Sequence, residues 1–237
     1  MDVIIYYCDR IGEISDILFE KIFRLMPEER QVRVGRIQNH IRQLQSVGVY
    51  ALFLYGCREE EKNCWRRWAE NGDIPTFSYS KYGKPYLKKG ACQFSFTHSG
   101  NMAACGFSSQ PIGIDAEQMT SCTEQMAHLV FSQEEMIRWK LFPDKYWRNR
   151  YFVELWTRKE SILKKKGLGF YGDLKNCQAE QAALKTWWLE SYCLSVCSSG
   201  DDPGIQKVLP AELEKMIEAY DSKNTAGICL ESGLSRE

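Results

Sequence analysis

Asp115 and Glu117 stand two residues apart in Pro111-Ile112-Gly113-Ile114-Asp115-Ala116-Glu117, a run otherwise made of apolar and small residues. On a strand, side chains alternate between faces, so Ile112, Ile114 and Ala116 point one way and Gly113, Asp115 and Glu117 the other. Two acids on one strand face stand roughly 6–7 Å apart. Both can then ligate a single hard cation, directly or through a water. The alternative is an exposed strand face with ordinary surface charges.

A second set lies in Leu155-Trp156-Thr157-Arg158-Lys159-Glu160-Ser161-Ile162-Leu163-Lys164. On a helix, Phe152, Leu155, Trp156, Lys159, Ile162 and Leu163 recur at three- and four-residue spacing and pack as a stripe. Trp156, Glu160 and Lys164 form one ridge at i, i+4 and i+8. Glu160 offers a third carboxylate to the cation, and Lys164 a charge for phosphate. The alternative is a surface Glu-to-Lys pair contributing roughly 0.2–0.5 kcal/mol.

Three further segments could meet an anion. Phe94-Ser95-Phe96-Thr97-His98-Ser99-Gly100 reads as a strand ending at a histidine and small residues, a turn composition that turns backbone N–H groups and an imidazole toward one space. Lys84-Pro85 sets a cation beside a rigid turn. The stretch Glu28 to Leu44 carries Arg30, Arg33, Arg36 and Arg42 against only Glu28 and Glu29, and arginine forks suit phosphate oxygens. For each, the plainer reading is a structural histidine, a solvated lysine or a solvated helix face.

Positioning these groups requires strands and helices in a particular order. A strand is expected at Val3–Cys8, then helices at Glu13–Leu25, Glu28–Leu44 (with Pro27 before its acidic first turn) and Val47–Cys57. From Thr76 short strands follow, with a turn at Tyr82-Gly83-Lys84-Pro85 and strands at Cys92–Thr97 and Ala103–Phe107. After Ser108-Ser109-Gln110-Pro111 the order begins again: a strand at Ile112–Glu117, helices at Thr123–Val130, Gln133–Leu141 and Lys145–Lys166, and strands at Leu184–Leu189 and Tyr192–Cys197. This order describes an α+β fold of two similar lobes, 1–109 and 110–237, each a small sheet with packed helices. A last helix is expected at Pro210–Tyr220, with a loosely tethered tail after Asp221.

Composition narrows the class. With 237 residues, 44% of them aliphatic, aromatic or cysteine, the chain can bury a real core as one domain or two lobes. Lys and Arg balance Asp and Glu at 31 each, which argues against a nucleic-acid binder relying on excess positive charge. The apolar run Val3–Tyr7 is too short for a signal segment or a membrane span, so a cytoplasmic protein is expected. Ten cysteines without a Cys-x-x-Cys pair, and only three histidines, argue against a structural zinc site and for reduced, buried thiols.

In order and register, Gly83-Lys84-Pro85, Thr97-His98-Ser99-Gly100, Gln110 to Glu117, Phe131-Ser132-Gln133-Glu134-Glu135 and Trp156 to Ser161 with Lys164 resemble the surfactin-synthetase-type 4'-phosphopantetheinyl transferases. The resemblance runs through about residues 26 to 170, with Thr97 where the family more often has serine. It implies that Asp115, Glu117 and Glu160 hold Mg²⁺. It implies that Lys84, Pro85, Thr97, His98 and Arg42 contact coenzyme A, with Arg36 or Arg30 as substitutes for Arg42, and that Lys164 lies at the reacting pyrophosphate. Glu135 matches a glutamate suggested as the base for the acceptor serine, a role a metal-bound water could also fill.

The resemblance further implies a monomer of two lobes related by a pseudo-twofold, with the active site between them. The reaction it implies is transfer of the phosphopantetheine arm of coenzyme A to a serine of an apo acyl or peptidyl carrier protein in fatty-acid, polyketide or nonribosomal-peptide synthesis, releasing adenosine 3',5'-bisphosphate. A non-catalytic relative that binds carrier or coenzyme A is the alternative. A nucleotide-dependent transferase lacks support, because the chain has no Gly-rich Lys-Ser/Thr loop.

Overall fold

The computed structural model describes residues 3–59, 76–87, 92–169, 172–177, 184–199 and 202–231. They form a mixed α+β fold with seven α-helices and three small sheets. The first sheet is four-stranded, ordered β4-β5-β1-β9, from β1 (Ile4–Cys8), β4 (Gln93–Ser99), β5 (Met102–Ser108) and β9 (Gly204–Lys207). The second is three-stranded, ordered β6-β8-β7, from β6 (Gly113–Gln118), β7 (Leu184–Leu189) and β8 (Tyr192–Cys197). A hairpin of β2 (Phe77–Tyr79) and β3 (Pro85–Leu87) makes the third.

Alternation along the strands assigns each face. In the first sheet Tyr6, Phe94, Cys105 and Phe107 point to one core, where helix α3 (His40–Glu59) is buried almost continuously from Leu44 to Cys57. Gly56 permits the close seat of α3, since a Cβ there would lie 2.2 Å from the Phe107 ring. The opposite face, with Ile5, Met102 and Ala104, packs on Ile112, Ile114, Ala116, Leu194 and Val196 of the second sheet. The apolar face expected of the Ile112–Glu117 strand is therefore a sheet-to-sheet core.

The other face of β6 lies under helix α6 (Lys145–Lys166). Gly113 allows this: a Cβ there would stand 2.0 Å from Ser161 O and 2.3 Å from Lys165 N. Helix α6 is capped by Asp144 at its start and ends at Gly167 in the left-handed conformation, which glycine adopts without the Cβ clash. Helices α4 (Glu124–Val130) and α5 (Gln133–Leu141) pack beside it around Phe131, Trp139 and Phe152.

Three expectations change. The helix predicted over Glu28–Leu44 is two helices, α2 (Glu28–Gly35) and the start of α3, and the expected break near Gln45 is absent. Gly35 is a poor helix former, and Asn39 caps the new start by accepting from Arg42 N–H at 3.2 Å.

Strand β9, not anticipated, pairs parallel to β1 with Ile5 opposite Ile205. Helix α7 (Pro210–Glu231) then buries Leu213, Met216 and Ile217 in the first core. Both lie within 110–237 yet build on the first sheet, so that span is not a self-contained unit.

Finally, α7 continues through Glu231, across the tail expected to be loose. Helix α1 (Asp16–Arg24), capped by Ser15, packs on α3 and α7. Among the described residues no helix is long and apolar enough to cross a membrane. Cys8, Cys105, Cys122, Cys177 and Cys193 are free thiols.

Candidate active site

Strand β6 is an edge strand, so alternate N–H groups point away from β8 and need partners. Strand β4 supplies them with side chains. Ser95 Oγ accepts from Ile114 N–H at 3.1 Å, Thr97 Oγ1 from Ala116 N–H at 2.9 Å, and Ser99 Oγ from Gln118 N–H at 3.1 Å. Phe94 and Phe96, alternating with these hydroxyls, pack in or against the first core. The two main sheets are thus joined along a seam, and Asp115 and Glu117 project beside it.

Asp115 is buried, with Oδ1 accepting from Lys164 Nζ at 2.6 Å and from Thr97 Oγ1 at 3.2 Å. Its Oδ2 is buried without a hydrogen-bond partner among the described residues. Burial pushes the Asp115 carboxyl above its usual range, against the pull of Lys164 and Thr97. Glu117, half-buried, accepts from Ser99 Oγ at 2.7 Å. Burial and the negative charges of Asp115 and Glu160 push it up to about 6, partly offset by Ser99 and Lys164. Glu160 on α6 is likewise raised, by burial and then by Asp115. Asp115 and Glu117 on β6 lie under the helix that carries Glu160 and Lys164, and Lys164 is bonded to Asp115.

These residues fit a hard divalent ion in chemistry: oxygen donors, a surplus of negative charge and an unpartnered buried oxygen at Asp115. Among the described residues no three acidic, cysteine or histidine side chains already stand as a ligating cluster. Asp115 is the anchored member, while Glu117 and Glu160 are only partly buried.

Beyond the seam lies a cavity of about 890 Å³ lined by Arg36, Asn39, Arg42, Gln45, His98 and Ser99, among others. The α2–α3 break brings Arg36 and Arg42 to one rim, and the N-terminus of α3 adds its partial positive charge. His98, exposed at the cavity edge, has its pKa lowered by its packed surroundings and then by Lys164, with Arg30 and Arg42 adding to the effect. Gln45 is buried and donates to Gly100 O at 2.9 Å, tying α3 to the turn after His98.

Arg30 does not line this cavity. Its guanidinium lies over the rings of Tyr50, Phe77 and Phe96 at 5.4–5.7 Å and donates to Ser46 O at 3.4 Å, which makes it part of the first core.

Two other predicted residues have partners inside the protein. Lys84 Nζ donates to Ile112 O at 2.9 Å and Lys165 O at 3.2 Å, and burial lowers its pKa to about 8. Pro85 opens β3 beside it. Thr97 is buried, and its hydroxyl both accepts and donates along the seam.

Glu135 lines a separate cavity of about 1410 Å³ with Ser132, Tyr151, Leu155 and Arg158. Its Oε2 accepts from Ser132 N–H at 2.8 Å, closing a capping box on α5, and from the buried Lys159 Nζ at 2.5 Å. Lys159 also donates to Val130 O at 2.8 Å, so this pair anchors α5 to α6.

Sequence reasoning did not single out Ser99, Gln45 or Lys159. For Ser95, Thr97 and Ser99 the signal was present, as hydroxyls alternating with aromatics on one strand. A lysine on the apolar stripe of α6 was likewise a sign of a buried ion pair.

Residues 111–201 match the model of the 4'-phosphopantetheinyl transferase superfamily. The chain is 39% identical over 94 residues to 4'-phosphopantetheinyl transferase Sfp of Bacillus subtilis, a stretch covering 39% of this chain and 42% of that protein. It is 34% identical over 95 residues to 4'-phosphopantetheinyl transferase gsp of Aneurinibacillus migulanus, covering 40% and 39%. It is also 30% identical over 165 residues to L-aminoadipate-semialdehyde dehydrogenase-phosphopantetheinyl transferase of Candida glabrata, covering 66% of this chain and 60% of that protein. The matched stretches thus span roughly two to three fifths of these relatives' own length. The resemblance to the surfactin-synthetase type noted from the motifs is supported by these matches.

Proposed function

We propose that this chain, whose residues 111–201 match the 4'-phosphopantetheinyl transferase superfamily, moves the phosphopantetheine arm of coenzyme A onto a serine of an apo acyl or peptidyl carrier protein. The observation that supports this reading is that Ser99, which lines the cavity with Arg36, Arg42 and His98, donates to the Glu117 carboxylate. An acidic centre beside a basic cavity suits a ligand with a pyrophosphate and a further phosphate.

Asp115, Glu117 and Glu160 would hold Mg²⁺, which when bound neutralises charge on the pyrophosphate oxygens. Arg42 and Arg36 would pair with the outlying phosphate through charge-assisted hydrogen bonds, with Lys84, Pro85 and Thr97 behind them as the frame of the coenzyme A site. His98 and Lys164 would donate to the pyrophosphate as the serine oxygen attacks the β-phosphorus and adenosine 3',5'-bisphosphate leaves. Glu135, lining the larger cavity, is the candidate acceptor of the serine proton, a role that requires its bond with Lys159 to loosen.

The pseudo-twofold relation of lobes 1–109 and 110–237, with β9 and α7 returning to the first, belongs to the same proposal, as do a monomeric state and a cytoplasmic setting. Intact-mass spectrometry of an apo-carrier incubated with the protein and coenzyme A tests it. A gain of one phosphopantetheine with Mg²⁺, abolished by chelator, is the expected result. Coenzyme A binding without transfer to any of several acyl and peptidyl carriers would overturn it in favour of a non-catalytic relative.

A further inference from the structure

The seam between β4 and β6 follows a rule that repeats. A hydroxyl that accepts one hydrogen bond keeps one hydrogen to donate. Thr97 accepts from Ala116 N–H and donates to the carboxylate of Asp115, the residue just before. Ser99 accepts from Gln118 N–H and donates to the carboxylate of Glu117, again the residue just before. Ser95 accepts from Ile114 N–H in the same way, but the residue just before is Gly113, which has no side chain. Both strands have period two and their numbering rises together along the seam, so each rung sits one pleat beyond the last.

We propose that Thr97 and Ser99 are positioning residues that fix the side-chain orientation of Asp115 and Glu117 toward a divalent cation. The proposal rests on the metal-dependent reading above. A neutral hydroxyl occupies one carboxylate oxygen without cancelling its charge. At Asp115 the oxygen so held is Oδ1, which Lys164 Nζ also reaches at 2.6 Å, and Oδ2 is the buried atom lacking a partner among the described residues. At Glu117 the held oxygen is Oε2, on a side chain only half-buried that would otherwise swing among rotamers. The backbone bond from Gln118 fixes the Ser99 hydroxyl in turn, so orientation passes from the sheet seam to the carboxylates. Groups that orient ligands in this way typically account for about 10–100-fold in metal affinity.

Mn²⁺ titration by calorimetry on the full chain, without coenzyme A, tests this apart from catalysis. Ser99→Ala should weaken Mn²⁺ binding at least about tenfold, and Ser99→Thr, which keeps the hydroxyl, should restore it. Ser95→Ala breaks a rung that faces no carboxylate. It should melt earlier than the unaltered protein yet bind Mn²⁺ within about twofold of it, which separates orientation from general loosening of the seam.

Equal Mn²⁺ affinity for Ser99→Ala and the unaltered protein, or equal weakening by Ser95→Ala and Ser99→Ala, overturns the inference, as does absence of Mn²⁺ binding by the unaltered protein. Transfer to the carrier, measured on the unaltered protein, reports separately on the proposed function. Mn²⁺ binding without transfer would leave the positioning role standing while the transferase reading falls.

Discussion

Lys84 Nζ lies 2.9 Å from the carbonyl oxygen of Ile112, so an ammonium from the β2–β3 hairpin holds the residue just before β6. The same ammonium reaches Lys165 O at 3.2 Å in the last turn of α6, where unpaired carbonyls favour a cation. Hairpin, strand and helix are fastened at one point, next to the carboxylates.

That placement has a pH signature. With the Lys84 pKa lowered to about 8 by burial, the amine is charged in both folded and unfolded chains below that pH, and the fold carries the full desolvation cost. Between about 8 and the ordinary value of 10.5 the folded chain has lost the proton and the unfolded chain has not, so this residue's contribution to stability rises with pH. The melting temperature relative to Lys84→Met should therefore increase from about pH 7 to about pH 10. A difference that stays constant over that range would rule the effect out.

Glu117 has the opposite slope. Its folded pKa of about 6 lies above the ordinary 4.5, so its contribution is fully present below 4.5 and lost as pH rises through 6. Metal-free protein should melt lower at pH 7 than at pH 5 relative to Glu117→Gln. Mg²⁺ affinity should rise over the same interval, with proton release on binding detectable as a buffer-dependent heat.

Asp115→Asn keeps the shape of the side chain but removes the charge opposite Lys164. Transfer to an apo-carrier should fall at least about 100-fold, equivalent to about 2.7 kcal/mol of transition-state stabilisation. Circular dichroism should show the fold retained. Full turnover with ordinary Mg²⁺ dependence would remove the carboxylate centre from the reaction.

The arginines separate by environment. Arg36→Ala and Arg42→Ala, at the rim of the small cavity, should each weaken coenzyme A binding about tenfold or more, as expected for a lost charge-assisted hydrogen bond. Their melting temperatures should stay near that of the unaltered protein. Arg30→Ala empties a place among Tyr50, Phe77 and Phe96 and should instead lower stability by about 1–3 kcal/mol. Calorimetry and urea melts on the three variants read the two effects separately.

Gly113→Ala tests the close seat of α6. The added methyl would meet Ser161 O and Lys165 N, both backbone atoms at 2.0 and 2.3 Å, and neither can yield as a side-chain tip would. A loss of about 3 kcal/mol or more is expected in urea unfolding. A variant as stable as the unaltered protein would mean that the helix can lift from β6 without cost.

The amino-acid sequence by itself determined the face assignments along β6: period-two alternation places Ile112, Ile114 and Ala116 in a core and Asp115 and Glu117 opposite, because strand geometry admits no other arrangement. It also determined α6 from its apolar spacing, and with it the ridge that carries Glu160 and Lys164.

Tertiary structure alone decided what those residues touch. Local pattern does not say that β4 would lend three hydroxyls to the edge of β6. Nor does it say that Lys84 would be drawn to carbonyls of Ile112 and Lys165, or that Glu135 would be held by Lys159. The return of β9 to β1 is of the same kind. Each depends on backbone groups left unpaired by one element finding partners far along the chain, and that need is set by the packed arrangement of elements rather than by any neighbouring residue.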